Sequence, residues 1–456
     1  MTFMSETLRG IGRARLASFV QKETCEFVAA HPRSQAAAAG AQGFYAGVPM
    51  HWMLDWPSPF PLAVAEARGA RLQTIDGDAL NDFCLGDTGS MFGHSPEPVL
   101  RALERQVARG FTYMLPTADA YAVGQLLQER FGLPHWQVAT TASDANRFAL
   151  RVARAVTRRP RILVIHGCYH GAVDETYVGL YDGVARNRPG LIGQVIDQTA
   201  HTRVVEFNDL PALEAALADE TVAVVLAEPV MTNCCMVLPD PGYHTALREM
   251  TRRTGTLLLI DETHTISSGW GGYTRRHHLD PDMFVLGKPI AGGTPASVWG
   301  FTDAVATRWD AIRATKEPGH SGLGTTLSAN ALSMALMRAT LEQVMTESAY
   351  AHMEQQANRL ADGLARSILA HALPWHVVRV GARVEFICAP GPLRNGTAAT
   401  AAHCGEIEAA VHLGLVNRGC LIAPFHNMML VCPATESVQI DQLVHAFGEV
   451  LNDLAG

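Results

Sequence analysis

The sequence predicts an α/β fold, with a large domain on a mostly parallel β-sheet and a smaller α+β domain built from both termini. Three observations predict this fold. Short apolar segments rich in β-branched residues recur along the middle of the chain, as in strands buried on both faces. Amphipathic segments of helical period lie between them, as in crossover helices. Near both ends, polar and apolar residues alternate instead.

Four apolar segments are the predicted strands of the large domain: 161–167, 222–230, 256–263 and 282–288. Helical patterns occupy 209–219 and 243–255. In sheets of this kind, ligands bind beyond the carboxyl ends of the strands. The polar residues that close these segments are therefore the first candidates for a functional role: Glu228, Asp261 and Lys288.

The alternating segments predict the smaller domain. Residues 70–87 predict a hairpin that turns at "DGD", and residues 376–389 alternate before a helix at 403–416. Residues 34–43 and 390–400 are interpreted as loops. The predicted domains are 1–92 (N-terminal segment and part of the small domain), 93–330 (the large domain) and 331–456 (the rest of the small domain).

Composition excludes several classes of protein. The 456 residues are 48% hydrophobic and carry a net charge of −8 without a basic run, which argues against a nucleic-acid partner. The longest apolar runs are too short to span a bilayer. Nine cysteines without a CxxC spacing favour a reduced, cytoplasmic enzyme. The histidines at 277 and 278 lack further ligands at metal-binding spacing, so we expect a surface loop and no metal.

Lys288 is the most informative single residue. It ends an apolar run and is followed by Pro289, and Gly287 precedes it. A buried ammonium is costly without a partner, so the lysine either snorkels, forms a salt bridge, or forms a Schiff base with a carbonyl cofactor. In the last case, glycines would let backbone and ligand approach closely.

Pyridoxal phosphate is the carbonyl cofactor that the neighbouring residues would suit. Asp261 would hold the protonated pyridine nitrogen, or would be only a helix cap or solvated turn carboxylate. Ala142 and Ser143 precede a predicted helix and would bind the phosphate, unless Ser143 is merely the N-cap. Tyr169 lies in "GCYHG" and would stack on the ring, the alternative being an ordinary loop tyrosine.

Seven segments together make the chain resemble the fold-type I, class III aminotransferases, in particular the branch that contains glutamate-1-semialdehyde aminomutase. The resemblance runs from about residue 60 to the C-terminus. The segments are "GHSPEPV" (93–99), "TASDANRFALRVAR" (141–154), "GCYHG" (167–171), "AEPVMTN" (227–233), "LLLIDETHT" (257–265), "LGKPIAGGTP" (286–295) and "TTLSAN" (325–330).

The resemblance implies roles for individual residues. Lys288 is similar to the family's Schiff-base lysine, Asp261 to the partner of the pyridine nitrogen, and Ala142 and Ser143 to the phosphate-binding turn. Further matches place Tyr169 on the cofactor ring, Asn233 near its phenolic oxygen, and Thr326 at the phosphate of a neighbouring subunit. The last match implies a homodimer with shared active sites.

The chain also departs from the family pattern. Thr141-Ala142-Ser143 stands where the family usually has serine-glycine-threonine. Thr263 replaces an aliphatic residue of many relatives and would lie against the other ring face, and His264 could reach the phenolic oxygen. Residues 421–430 contain no arginine, where ω-transaminases often carry one that binds a carboxylate.

The substrate-binding candidates are less specific. Arg383 would bind a substrate carboxylate or would form a structural ion pair with Glu385. Trp56 would shape a hydrophobic substrate pocket, the alternative being core packing.

The resemblance therefore implies an aminotransferase that moves an amino group from an amino acid or amine donor to an oxo-acid acceptor by a ping-pong mechanism. The first alternative is a glutamate-1-semialdehyde 2,1-aminomutase-type isomerase, which would share every cofactor residue. The second alternative is a catalytically silent protein that binds pyridoxal phosphate. The retention of both Lys288 and Asp261 argues against the silent protein.

Overall fold

The structure, a computed structural model, describes residues 7–317, 319–424 and 426–456. The chain divides into two compact units. Unit 1 comprises the residues up to Pro96, together with Ser348–Pro392 and Ala402–Gly456. Unit 2 comprises Glu97–Glu347 and Leu393–Ala401. The domain limits expected after residues 92 and 330 stay a proposal.

In the described residues the β-strands are, in chain order, β1 (Thr7–Leu8), β2 (Ile11–Gly12), β3 (Val64–Arg68), β4 (Arg71–Thr74), β5 (Ala79–Asp82), β6 (His135–Ala139), β7 (Arg161–Ile165), β8 (Val178–Tyr181), β9 (Val184–Asn187), β10 (Thr202–Val205), β11 (Val222–Ala227), β12 (Leu257–Asp261), β13 (Met283–Leu286), β14 (Ser297–Phe301), β15 (His376–Val380), β16 (Arg383–Ile387), β17 (Cys420–Leu421) and β18 (Met428–Leu430). The α-helices of the same residues are α1 (Arg13–Ala30), α2 (Pro32–Ala39), α3 (Glu97–Val107), α4 (Ala118–Phe131), α5 (Ala142–Thr157), α6 (Leu210–Leu217), α7 (Tyr243–Thr254), α8 (Gly272–Arg276), α9 (Asp303–Ala314), α10 (Ala331–Ala339), α11 (Glu347–Ala370), α12 (Gly396–Ala402), α13 (Gly405–Asn417) and α14 (Ser437–Ala455).

Unit 2 is built on a seven-stranded sheet. Its strand order is β10-β7-β11-β12-β13-β14-β6. The strands from β10 to β13 run parallel, β14 is antiparallel to β13, and β6 is antiparallel to β14. Strands β11, β12 and β13 are buried along their whole length, as expected for continuously apolar segments between two helical layers. The predicted mostly parallel sheet is confirmed.

Helix α5 packs against this sheet through small and apolar side chains at helical spacing. Ala145, Phe148, Ala149, Val152 and Ala153 are buried in the same core as strands β7, β11 and β13. This packing brings the helix close to β11, β13 and β14. The N-terminus of α5 follows β6 after two residues, which sets the position of Ala142 and Ser143.

Unit 1 contains the predicted hairpin. Strands β4 and β5 pair antiparallel, and the Thr74 amide donates to the Asp78 carbonyl across the turn at 2.9 Å. Strands β3 and β17 complete that sheet, and β15, β16 and β18 form a second, antiparallel sheet. The alternating segments near both termini therefore form antiparallel strands; β5 alternates in burial, whereas β16 is buried along its whole length.

Two predicted loops are wrong over part of their length. Residues 32–39 form α2, because its alanines are the strongest helix formers and Pro32 suits the first helical position. The Arg33 amide also donates to the Asp76 carboxylate at 2.7 Å, so a distant acidic residue satisfies the start of the helix. Residues 396–402 form α12. None of the helices in residues 7–317, 319–424 and 426–456 combines the length and apolar character needed to cross a membrane.

Candidate active site

Asp261 and Lys288 lie at the carboxyl ends of two adjacent parallel strands. Asp261 is the last residue of β12 and is in register with Val285 of β13. Lys288 follows β13 after one glycine and is half-buried. The lysine backbone has a φ of 44°, a left-handed conformation that a residue with a side chain rarely adopts and that clusters at functional sites.

One hydroxyl group connects the two strand ends. The Thr263 hydroxyl donates to Asp261 Oδ1 at 2.7 Å and accepts from the Gly287 amide at 3.3 Å. The Thr263 amide also donates to Asp261 Oδ1, at 3.1 Å. The segment after β12 thus fixes both the carboxylate and the residue that precedes Lys288.

The other oxygen of Asp261 is held by two side chains that the sequence analysis missed. Asn146 Nδ2, on α5, donates to Asp261 Oδ2 at 2.8 Å. His170 Nδ1, in the loop after β7, lies 3.0 Å from the same oxygen. A signal existed for Asn146, since it is a polar residue on the apolar face of the predicted helix, where a polar group needs a partner.

The charges of Asp261 and His170 stabilise each other. Burial alone would raise the pKa of Asp261, but the hydrogen bond and charge of His170, with Thr263 and Asn146, leave that pKa below its ordinary value. Burial alone would lower the pKa of His170, but Cys168 and Asp261 raise it to about 10. At neutral pH the pair is therefore a carboxylate and an imidazolium, which makes Asp261 a buried permanent anion.

A second carboxyl group closes the neighbouring strand. Glu228 follows β11 and is buried, and burial raises its pKa. Asn233 Nδ2 donates to Glu228 Oε1 at 3.0 Å, and the Thr232 amide and hydroxyl bind the other oxygen. Asn233, expected near the cofactor's phenolic oxygen, thus has its amide nitrogen bound to Glu228, and its role at the cofactor stays a prediction.

The N-terminus of α5 is capped by Thr141, whose hydroxyl accepts from the Asp144 amide. The alternative that Ser143 is the N-cap is therefore wrong. The Ser143 hydroxyl instead accepts from the Ala172 amide at 2.9 Å. This joins the start of α5 to the loop that carries His170.

Two glycines allow the chain to pack closely at this corner of the site. A methyl group on Gly287 would come within 2.8 Å of the Ala142 Cβ atom, and one on Gly171 would meet the Ser143 side chain. Contacts that short do not occur between real side chains, so both positions require glycine for steric reasons. Gly171 also has a φ of 82°, which favours glycine by itself.

His264 contacts the lysine directly. Its Nε2 atom lies 2.6 Å from Lys288 Nζ, and the imidazole is 6% exposed. The predicted contact of His264 with the phenolic oxygen of the cofactor stays a prediction.

The remaining cofactor candidates, Tyr169 and Thr326, are exposed. Tyr169 is 45% exposed beside His170, and Thr326 is exposed. Their roles at the cofactor stay predictions.

The substrate-binding candidates belong to unit 1. Arg383 is buried in β16, where its Nη2 donates to the Thr88 hydroxyl at 2.6 Å, and Glu385 lies 3.3 Å from His426. Trp56 lines an apolar cavity of about 520 Å³ within that unit. Neither placement tests a role in substrate binding.

Comparison with known proteins gives consistent matches. The family model described as "Aminotransferase class-III" matches residues 54–451. The chain is 30% identical over 401 residues to a glutamate-1-semialdehyde 2,1-aminomutase of Desulfosudis oleivorans, covering 86% of this chain and 92% of that protein.

Two solved structures resemble it over nearly their whole length. The crystal structure of a glutamate-1-semialdehyde-aminomutase from Pseudomonas aeruginosa PAO1 matches with a TM-score of 0.95 and 48% identity, over 97% of this chain and 99% of that one. A lysine-to-alanine variant of a glutamate-1-semialdehyde-aminomutase from that organism, in complex with PMP, matches equally well, with the same TM-score and identity over 98% and 100%.

Proposed function

Because this chain belongs to the class-III aminotransferase family, we propose that it moves an amino group between adjacent carbons of one amino aldehyde, as a glutamate-1-semialdehyde 2,1-aminomutase does. The observation that carries the amino-group chemistry is the pair of strand ends that present Asp261 and Lys288 side by side. The names of the relatives favour the aminomutase over an aminotransferase acting on two substrates.

Pyridoxal phosphate is the cofactor, and the residues present fit it. Lys288 would carry it, Asp261 would bind its pyridine nitrogen, and Ala142 and Ser143 would hold its phosphate at the N-terminus of α5, where backbone amides and the helix dipole favour an anion. The close approach of Gly287 to Ala142 supports this assignment, because it brings the residue before Lys288 against the turn that would hold the phosphate. When bound, the cofactor supplies a carbonyl for amine exchange and a ring that withdraws electrons.

The protein's own groups supply the rest of the chemistry. The ionised Asp261 would keep a proton on the pyridine nitrogen, since a buried anion favours a cation beside it. The Lys288 amine would take the proton from the substrate carbon and return it. Thr263 would keep the two groups in register through its contacts to Asp261 and Gly287.

The ranking of functions changes with the comparisons. The sequence analysis puts a ping-pong aminotransferase first. The family match supports that broad class of chemistry, whereas the names of the relatives specify an aminomutase. The cofactor residues do not distinguish the two reactions, because both need the same lysine and the same carboxylate. The aminotransferase is therefore the second candidate, favoured by the TAS turn at 141–143 and by Thr263, which depart from the expected pattern.

The test is turnover of glutamate-1-semialdehyde by the purified holoenzyme without any second substrate. We expect many turnovers per active site to the product that carries the amino group on carbon 1, measured by NMR. A matched reaction with ordinary amino donors should stop after about one equivalent of oxo product. Conversion that requires an added oxo acid would contradict the aminomutase and leave the aminotransferase.

We also propose that the enzyme is a homodimer in which Thr326 reaches the partner's cofactor phosphate. Its exposure supports a role at an interface. Thr326→Val should weaken cofactor retention with little effect on the mass measured by light scattering. A monomeric wild-type enzyme with full activity would contradict this proposal.

A further inference from the structure

The contact between His264 and Lys288 has a chemical consequence. The two nitrogen atoms are 2.6 Å apart, so one of them donates a hydrogen bond and the other accepts it. Two cations at that separation would repel strongly in a buried site. A direct hydrogen bond between them requires a free lone pair on one of the two nitrogen atoms.

The neighbouring carboxylates each have hydrogen-bond donors of their own. Asp261 is bound by His170, Asn146 and Thr263. Glu262, next to it, is bound by the Thr265 hydroxyl and by backbone amides of α8. The His264 imidazole is an acid–base group at hydrogen-bond distance from the lysine nitrogen.

The reaction requires the lysine to change its proton content. In the proposed function, the Lys288 amine takes a proton from the substrate carbon and becomes an ammonium. Lys288 must also be an uncharged amine whenever it re-forms its bond to the cofactor, because an ammonium is not a nucleophile. A neutral imidazole within hydrogen-bond distance can accept it, since histidine titrates near neutral pH.

We propose that His264 is a positioning and proton-relay residue for Lys288, which takes a proton from the lysine ammonium and returns it to the amine. The balance is complete: ammonium and neutral imidazole become amine and imidazolium, with no other reactant. This inference rests on the proposed use of Lys288 as the proton-transferring group, but it holds equally for an aminomutase and an aminotransferase.

The first test follows displacement of Lys288 from the cofactor in the holoenzyme by methoxyamine, whose amino nitrogen is bonded to oxygen, so that no proton lies on a carbon next to that nitrogen. His264→Gln keeps a neutral hydrogen-bonding side chain but cannot take up the proton. We expect displacement to be slower by about tenfold to a hundredfold, which lies at or below the lower end of the rate factors that positioned acid–base groups typically contribute. The rate should also lose its dependence on pH near neutrality, measured by stopped-flow absorbance.

The matched control is His445→Gln, the same substitution at a histidine that is 78% exposed on α14, and it should leave both measurements unchanged. His264 is buried, so His264→Asn is a second variant, and both should keep the circular dichroism of the parent. An unchanged displacement rate and pH profile in a folded His264 variant would overturn the relay.

The second test needs only the wild-type enzyme and a donor deuterated at its reactive carbon. A relay predicts that the deuterium is largely lost to solvent at neutral pH, and that more of it returns to product below the pH at which the imidazole is already protonated. His264→Gln should retain several-fold more deuterium. Retention that does not depend on pH or on His264 would overturn the proposal, whereas failure of glutamate-1-semialdehyde to react would concern only the aminomutase.

Discussion

Replacing His170 by glutamine should remove the positive charge beside Asp261 while keeping a hydrogen-bond donor. The structure sets the magnitude. The pKa of His170 rises from 6.5 to about 10, which corresponds to about 5 kcal/mol at about 1.4 kcal/mol per pKa unit. Breaking a buried ion pair costs about 3–5 kcal/mol. Because Cys168 contributes to the rise and glutamine still donates a hydrogen bond, we expect a loss of about 3 kcal/mol.

The dependence of this loss on pH follows from the two shifts. A raised histidine pKa stabilises the folded state fully below 6.5, and this contribution fades as the pH rises towards about 10. A lowered aspartate pKa stabilises it above 3.8, and this contribution is lost as the pH falls through the folded pKa. The difference in unfolding free energy between the parent and His170→Gln should therefore be largest between pH 3.8 and pH 6.5, and small at alkaline pH.

The assay is chemical denaturation of the cofactor-free protein over a series of pH values, with His244→Gln as the control. His244 lies in the same unit, and burial lowers its pKa to about 4. The contribution of His244 to the free energy of unfolding therefore depends on pH in the opposite direction. The difference in unfolding free energy between the parent and His244→Gln should shrink as the pH falls below 6.5. A stability loss for His170→Gln that is the same at every pH would refute the ion-pair argument. Unchanged turnover in the cofactor-loaded variant would refute the role of His170 in holding Asp261 for the reaction.

Three further predictions concern the strand ends. Lys288→Ala should lose the visible absorbance band of the lysine-linked cofactor and nearly all turnover, and a variant that transferred amino groups at the parent rate would refute its role. Gly287→Ala should weaken cofactor binding by about 1–3 kcal/mol, because the added methyl group would lie 2.8 Å from the Ala142 Cβ atom and force the turn to shift. Titration with the cofactor measures this loss of affinity. Adding Ala142→Gly to the Gly287→Ala variant should restore most of the affinity. Thr263→Val removes both hydroxyl contacts and leaves Asp261 short of a donor, so we expect about 1–3 kcal/mol lower stability by denaturation, and a change below a few tenths would contradict the bridge.

Sequence periodicity determined the parts of the fold that depend on local pattern. The strands that end near Glu228, Asp261 and Lys288 follow from apolar runs with a polar last residue, because strands covered on both faces of a parallel sheet are apolar along their length. The same reasoning placed α5 and the hairpin at 70–87. It failed at α2, where the alanine-rich segment is a helix whose first amides are bound by Asp76, about forty residues away in the chain.

The sequence alone also determined that Asp261 and Lys288 share one edge, since carboxyl ends of adjacent parallel strands meet there. Only the tertiary structure decided which side chains surround them. β7, which precedes the His170 loop, lies two strands from β12 in the sheet, with β11 between them, and this strand order does not follow from chain order. Asn146 and His264 acquire partners through the packing of a helix and a turn against that edge. Side-chain convergence of this kind depends on contacts distant in sequence, which no local pattern encodes.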